Sequence, residues 1–221
     1  MNLNKSKEFF DPTEFEDSVH IIGCGSIGST VAENLARFGI ENFILYDFDT
    51  IEPHNLANQM FYEHQIGRLK TLAVAETIKD INKDATIICQ DKGYISQPLS
   101  GYVFLCVDSI EKRREIALMH KNNPGIKAMF DFRTRLVDAQ SYGVDWHTPK
   151  EIDTFLRSTE FTHDEAKEET PTSACGVQLS VNPTIRTICS YGVVNFINFV
   201  KTGKIKRLIL SFPFDFSVEA Y

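Results

Sequence analysis

A glycine-rich turn, a pair of alternating aspartates and a polar Asn/Gln cluster are the residues of this chain best suited to chemistry. Gly23-Cys24-Gly25-Ser26-Ile27-Gly28 has the spacing that turns a strand into a helix over a phosphate. Gly23 permits the tight turn, Gly25 lets the backbone approach an anion, and Gly28 lets the helix close on the strand. Ser26 and Ile27 open that helix, whose free N–H groups and dipole favour negative charge. About twenty residues further on, the spacing expected of a ribose-binding acid, come Asp47-Phe48-Asp49 and then Asn55-Leu56-Ala57-Asn58-Gln59. A dinucleotide dehydrogenase needs one acidic residue there. Two aspartates followed by a polar cluster point instead to ATP and adenylation.

The elements that must position these residues alternate between strand and helix. Val19 to Ile22 reads as a buried parallel strand and Ser26 to Phe38 as a helix stopped by Gly39. Phe43 to Tyr46, Thr86 to Cys89, Tyr102 to Val107 and Lys127 to Asp131 read as further strands, Arg68 to Ile81 and Glu111 to Lys121 as helices, and Leu136 to Val144 as an added antiparallel strand. A helix over Thr184 to Val200 and a closing strand over Leu208 to Phe212 complete an α/β, doubly wound, mostly parallel Rossmann-like sheet with helices on both faces and an antiparallel C-terminal portion. Ligands of such sheets bind beyond the carboxyl ends of the strands, where Gly23, Asp47, Asp108 and Asp131 are expected to meet. Residues 1–221 read as one nucleotide-binding domain, with 145–174 a polar, acidic crossover loop or lid and a helical patch near Glu151 to Arg157.

Composition excludes several other classes. The chain has 221 residues, 43% hydrophobic and 24% charged, ordinary for a globular domain. A formal net charge of -7 is unsuited to a nucleic-acid-binding surface. No apolar run has the length of a membrane span, and the polar N-terminus has no signal-peptide core. Five cysteines, without a CxxC pair, fit a reducing, cytoplasmic setting and provide no zinc framework. Six histidines show no metal-ligand spacing.

Taken together with Ile66-Gly67-Arg68-Leu69-Lys70 and Cys106-Val107-Asp108-Ser109, these motifs resemble the ThiF/MoeB/HesA family, bacterial relatives of ubiquitin-activating enzymes, over roughly residues 17 to 210. The resemblance implies binding of ATP with Mg²⁺, adenylation of the C-terminal carboxylate of a ubiquitin-like or sulfur-carrier protein, and a homodimer. It assigns Asp47 to the ribose, with Asp49 beside it, Lys70 to the triphosphate as a mobile point charge, and Asp108 to Mg²⁺. Asn55 and Gln59 contact phosphate or organise their loop. For Asp47, Lys70 and Asp108 the plain structural alternatives are a loop cap, a solvated helix lysine and a helix N-cap.

This sequence departs from the family at Asn58, where an arginine is usual, and it has no Arg before Arg37. Arg68, Arg113 and Arg133 are the candidates to replace the missing charge. Arg133 is placed with Asp131 at a strand end, either as a catalytic cation or as half of a structural ion pair. Cys175 is the candidate acceptor thiol, with a buried or incidental cysteine as the alternative. Cys24, Cys89, Cys106 and Cys189 lie in apolar or glycine-rich contexts and read as core. Two other classes remain open: an ATP-binding scaffold subunit that has lost catalysis, and an NAD-dependent oxidoreductase.

Overall fold

In a computed structural model, which describes residues 1–162, 164–165 and 179–221, the chain builds one eight-stranded sheet. The strands are β1 (Val19–Ile22), β2 (Asn42–Tyr46), β3 (Thr86–Gln90), β4 (Gly101–Leu105), β5 (Ile126–Thr134), β6 (Ala139–Asp145), β7 (Leu208–Phe212) and β8 (Ser217–Ala220), in spatial order β3-β2-β1-β4-β5-β6-β7-β8. The first five are parallel; β5 to β8 pair antiparallel. The helices are α1 (Ser26–Arg37), α2 (Lys70–Ile81), α3 (Ile110–Met119), α4 (Pro149–Arg157) and α5 (Asn182–Thr202).

The parallel strands form because they are apolar on both sides. All four residues of β1 and all five of β4 are buried, as expected of strands covered by helices on each face. On one face, Val31 and Leu35 of α1, Ala73, Val74 and Ile78 of α2, and Ile185, Ile188, Val193 and Phe196 of α5 enclose a single core. Phe104 of β4 stacks on Phe130 of β5 with ring centroids 5.1 Å apart, and the Phe196 ring meets Phe104 edge-on at 5.5 Å. On the other face, Ile116 and Ala117 of α3 and Ile152, Phe155 and Leu156 of α4 cover Val103, Leu105 and Met129.

Register places the site. Ile22 is opposite both Tyr46 and Leu105, and Leu105 is opposite Asp131, so the carboxyl ends of β2, β1 and β4 lie level. The residues that follow them, Asp47, Gly23 and Cys106, therefore emerge at one rim of the sheet.

The structure refines the sequence expectations at several points. β5 does not stop at Asp131; it runs on to Thr134 because β6 pairs with it throughout, Asp131 lying opposite Tyr142. The helical patch expected near Glu151 to Arg157 is present as α4, whose buried Ile152, Phe155 and Leu156 fall at helical spacing and dock on the sheet. The cap of α3 is Ser109, whose hydroxyl accepts from Lys112 N at 3.1 Å, and not Asp108. An eighth strand, β8, extends the sheet beyond β7. Among the described residues no helix is long and apolar enough to cross a membrane.

Candidate nucleotide site

The glycine turn is built as its spacing requires. Gly23 has φ +96°, and a Cβ there would sit 2.7 Å from Cys106 O and 2.9 Å from Val107 N, so only glycine lets β1 leave the sheet beside β4. A Cβ on Gly28 would run into the Gly23 carbonyl, because α1 packs directly on the turn that precedes it. Gly25, the N-cap of α1, is different: a Cβ there would meet nothing within 4 Å. Its surroundings are open, on the side where the first N–H groups of the helix point.

That open side is a cavity of about 490 Å³ lined by Gly23, Gly25, Ser26 and Ile27 of the turn, by Tyr46 to Asp49, by Gln59 and Lys70, and by Cys106 to Asp108 with Arg113. Asp47 is 9% exposed and holds the turn in place. Its Oδ2 accepts from Cys24 N at 2.7 Å and its Oδ1 from Asp49 N at 2.8 Å. Burial pushes its carboxyl pKa up, against the two backbone N–H bonds that favour the charged form. Each oxygen keeps a lone-pair direction that the backbone does not use.

Lys70 is not the mobile lysine expected from the sequence, nor a solvated one. Its side chain is 9% exposed and its Nζ donates to Asp49 Oδ2 at 2.8 Å. The backbone enforces this: Lys70 N donates to Asp49 O at 3.0 Å, and Thr50 and Leu69 form an antiparallel bridge, so two segments distant in sequence are clipped together at the cavity edge. Asp108 is exposed at the opposite wall, one oxygen accepting from Ser109 N at 2.9 Å and the rest facing out.

The Asn/Gln cluster divides by position. Asn55 is buried, and its Oδ1 accepts from Glu52 N at 2.9 Å, so it organises the loop rather than lining the cavity. Asn58 also lies outside the cavity, its Nδ2 donating to Ser180 Oγ. Gln59 does line the cavity, and its buried Oε1 has no partner among the described residues. An orphaned acceptor of this kind is costly unless a ligand donor or water meets it.

Of the three arginines proposed to supply missing charge, only Arg113 lines the cavity. Arg68 is paired with Glu76 at 2.6 Å. Arg133 takes the second of its two readings, an ion pair with Asp131. Asp131 lies inside β5 and Arg133 one residue before its end at Thr134, and both point to the α4 side, where Arg133 Nε donates to Asp131 Oδ2 at 2.7 Å and Nη1 to Ser158 O at 2.8 Å. Its guanidinium also lies 4.3 Å from the centre of the Tyr142 ring. Cys175 falls outside the described residues. Cys24, Cys106 and Cys189 are buried, and burial pushes all three thiols up, away from reactive thiolate.

Sequence reading missed Phe48, Lys92, Gly93, Tyr94, Lys112 and Thr134, which also line the cavity. Lys92 to Tyr94 follow the carboxyl end of β3 and were accessible by the same strand-end rule. Tyr94 is fixed by a 2.6 Å hydrogen bond between its hydroxyl and His120 Nε2. Among the described residues no group of three or more His, Cys, Asp or Glu is arranged to hold a metal by itself. Of the three cavity carboxylates, Asp47 is engaged by backbone N–H groups and Asp49 by Lys70, which leaves Asp108 as the exposed one; one or two carboxylates with retained waters and substrate phosphates are what Mg²⁺ takes.

Known proteins resemble this chain in sequence and in fold. The profile of the ThiF family matches residues 14–212. A ubiquitin-like modifier-activating enzyme 5 from Bombyx mori is 35% identical over 118 residues, covering 46% of this chain and 30% of the relative. The Arabidopsis thaliana protein of that name is 43% identical over 72 residues, covering 33% and 17%. The matched segments thus span less than a third of these relatives. Among solved structures, MccB from E. coli, crystallised with AMPCPP and MccA, superposes with a TM-score of 0.71 at 16% identity, covering 96% of this chain and 64% of that one. PaaA gives a TM-score of 0.69 at 15% identity, covering 93% and 64%. At these identities the structural likeness shows the fold.

Proposed function

The chain belongs to the ThiF family, and from that premise we propose that it is a MgATP-dependent adenylyltransferase acting on the C-terminal carboxylate of a ubiquitin-like or sulfur-carrier protein. One observation carries the proposal: the open N-terminus of α1, the clipped Lys70 and the exposed Asp108 line the same cavity. The names of the relatives and the ATP analogue in the MccB crystal support the same chemistry.

In the reaction, a carboxylate oxygen attacks the α-phosphorus of ATP. The bond from that phosphorus to the bridging oxygen breaks, and pyrophosphate leaves. The protein's contribution is to position the reactants and to neutralise charge. The α1 N-terminus and Gly25 receive phosphate against backbone N–H groups. Asp47 accepts from ribose hydroxyls while it holds the turn. Lys70, fixed by Asp49, presents a cation that needs little reorganisation. Asp108 would hold Mg²⁺, whose chemistry is to shield the charge of the phosphates. Cys175 is assigned the later role of acyl acceptor, and the working unit is a homodimer.

ATP–pyrophosphate exchange driven by a ubiquitin-like protein tests the central claim; binding of MgATP without any exchange refutes it. For Cys175, a DTT-sensitive conjugate that survives Cys175→Ala excludes the thiol as acceptor.

One observation favours a second reading, an ATP-binding scaffold subunit. Asn58 stands where the family usually has a cation and is turned to Ser180, outside the cavity. MgATP binding without turnover for any carrier supports that reading. The oxidoreductase alternative is tested by thermal shift, since a ligand that binds only the native state raises stability. NAD, and not MgATP, must then stabilise the protein.

A further inference from the structure

On the face of the sheet covered by α3 and α4, three charged side chains connect the cavity wall to Ser158 at the end of α4. Arg113, on α3, is 5% exposed and lines the cavity. It donates to Asp131 Oδ1, Phe132 O and Val107 O, and its buried Nε has no partner among the described residues. Asp131 is fully buried. Its second oxygen accepts from Arg133 Nε at 2.7 Å. Arg133 in turn is held by Ser158 at the end of α4, through O at 2.8 Å and Oγ at 3.0 Å, and by the face of Tyr142.

A buried Arg–Asp pair is neutral, and taking it out of water brings little net gain. Here a second guanidinium joins the same carboxylate, so two cations face one anion and the cluster keeps one net positive charge. The charge is fixed by several hydrogen bonds and sits behind the wall that would face phosphates. The lysines that line the cavity differ in this respect: Lys70 is neutralised by Asp49 and Lys112 by Glu115, while Lys92 is exposed, without an ion pair among the described residues to hold it in place.

We propose that Arg133, which does not line the cavity, is a positioning residue for polyphosphate binding: by sharing Asp131 it leaves Arg113 with uncompensated positive charge at the cavity wall. The proposal rests on the nucleotide reading of the site and identifies where this chain, with Asn58 in the loop, keeps a fixed cation. Arg133→Gln removes that charge while retaining a side chain that can donate to Asp131.

The test is calorimetric binding of MgATP and of uncharged adenosine to the whole chain and its variants. One elementary charge acting on a multiply charged anion at an effective dielectric of about 20 corresponds to roughly a tenfold change in affinity. Arg133→Gln is therefore expected to weaken MgATP about tenfold and leave adenosine unchanged. Arg133→Lys keeps the charge without the fork, so it should hold the ratio of the two affinities near that of the unaltered protein.

Three results overturn the inference. In the first, Arg133→Gln binds MgATP normally. In the second, it weakens MgATP and adenosine equally, as a purely structural residue would. In the third, Arg133→Lys lowers the MgATP-to-adenosine ratio, a measurement that decides the matter even where the Gln variant does not fold. Failure of the unaltered protein to bind MgATP at all has a different meaning, because it removes the nucleotide reading and this inference with it.

Discussion

Two alanine substitutions in the same turn should have opposite effects. At Gly28 a Cβ would overlap the Gly23 carbonyl oxygen, lie 2.8 Å from Gly23 C and 3.2 Å from Ile21 Cγ2. The first two are backbone atoms wedged between β1 and α1 and cannot swing aside, so the helix must lift from the sheet. Overpacking of this kind costs about 3 kcal/mol, the upper part of the usual range. For a domain of this size each kcal/mol lowers Tm by roughly 2–4 °C, so Gly28→Ala should melt roughly 6–12 °C early. At Gly25 the same methyl meets nothing within 4 Å. The fold should lose about 1 kcal/mol, roughly 2–4 °C, because alanine is a poorer N-cap than glycine. What it should lose is the ligand, because the methyl occupies the space through which a phosphate reaches the helix N-terminus. Differential scanning fluorimetry with and without MgATP reads both effects. The expected pattern is a low Tm for Gly28→Ala and a Tm only slightly lowered, without a MgATP shift, for Gly25→Ala. A Gly25→Ala protein that is stabilised by MgATP as fully as the unaltered chain refutes the assignment of that open space to phosphate.

The other predictions concern charge and protonation. Lys70→Met leaves Asp49 half-exposed rather than buried, so Tm should stay within a few degrees while pyrophosphate exchange falls by about a hundredfold, the scale for losing one charged contact in a transition state. Asp108→Asn, at an exposed position, should leave the melting curve unchanged and raise the Mg²⁺ concentration needed for exchange. His20 is buried, with Nδ1 2.9 Å from the Tyr46 hydroxyl, and burial lowers its pKa to about 4. The unfolded chain, with an ordinary value near 6.5, then binds the proton first, and stability falls as pH drops through the interval from 6.5 to 4. Between pH 7 and pH 5 this amounts to about 2 kcal/mol, visible in urea unfolding and absent in His20→Asn.

The turn and Asp47 were legible because they obey local rules: glycine spacing, apolar strands and an acid at a strand end. Lys70 could be located but its environment could not, because its burial depends on the bridge between Thr50 and Leu69, which no spacing encodes. For Arg133 the ion pair with Asp131 was among the readings, but the strand end beside it was misplaced for a specific reason. Whether a strand ends at Asp131 depends on its neighbour, and β6 extends β5 by three residues, putting Asp131 and Arg133 inside the sheet on the α4 side. Arg113 then takes the cavity position from a helix whose charged sequence, Glu111-Lys112-Arg113-Arg114-Glu115, gives no hint of which residue turns inward. α4 was only partly visible, because three buried residues in an otherwise polar stretch make a short apolar stripe.

The placement of α5 has a consequence for how the protein acquires its site. Among the described residues, those lining the cavity all lie between Ile22 and Thr134, so this part of the site has been synthesised while α5 is still to come. Yet Val31 and Leu35 of α1 bury themselves in the same core as Ile185, Ile188 and Phe196 of α5. Until residue 202 has emerged, a growing chain carries the phosphate-binding turn on a helix with one apolar side uncovered. The turn can form early, but it can be held rigid only late. Closing that loop of more than a hundred residues is a non-local step of the kind that slows folding, and it leaves the nascent nucleotide half exposed to aggregation for that interval.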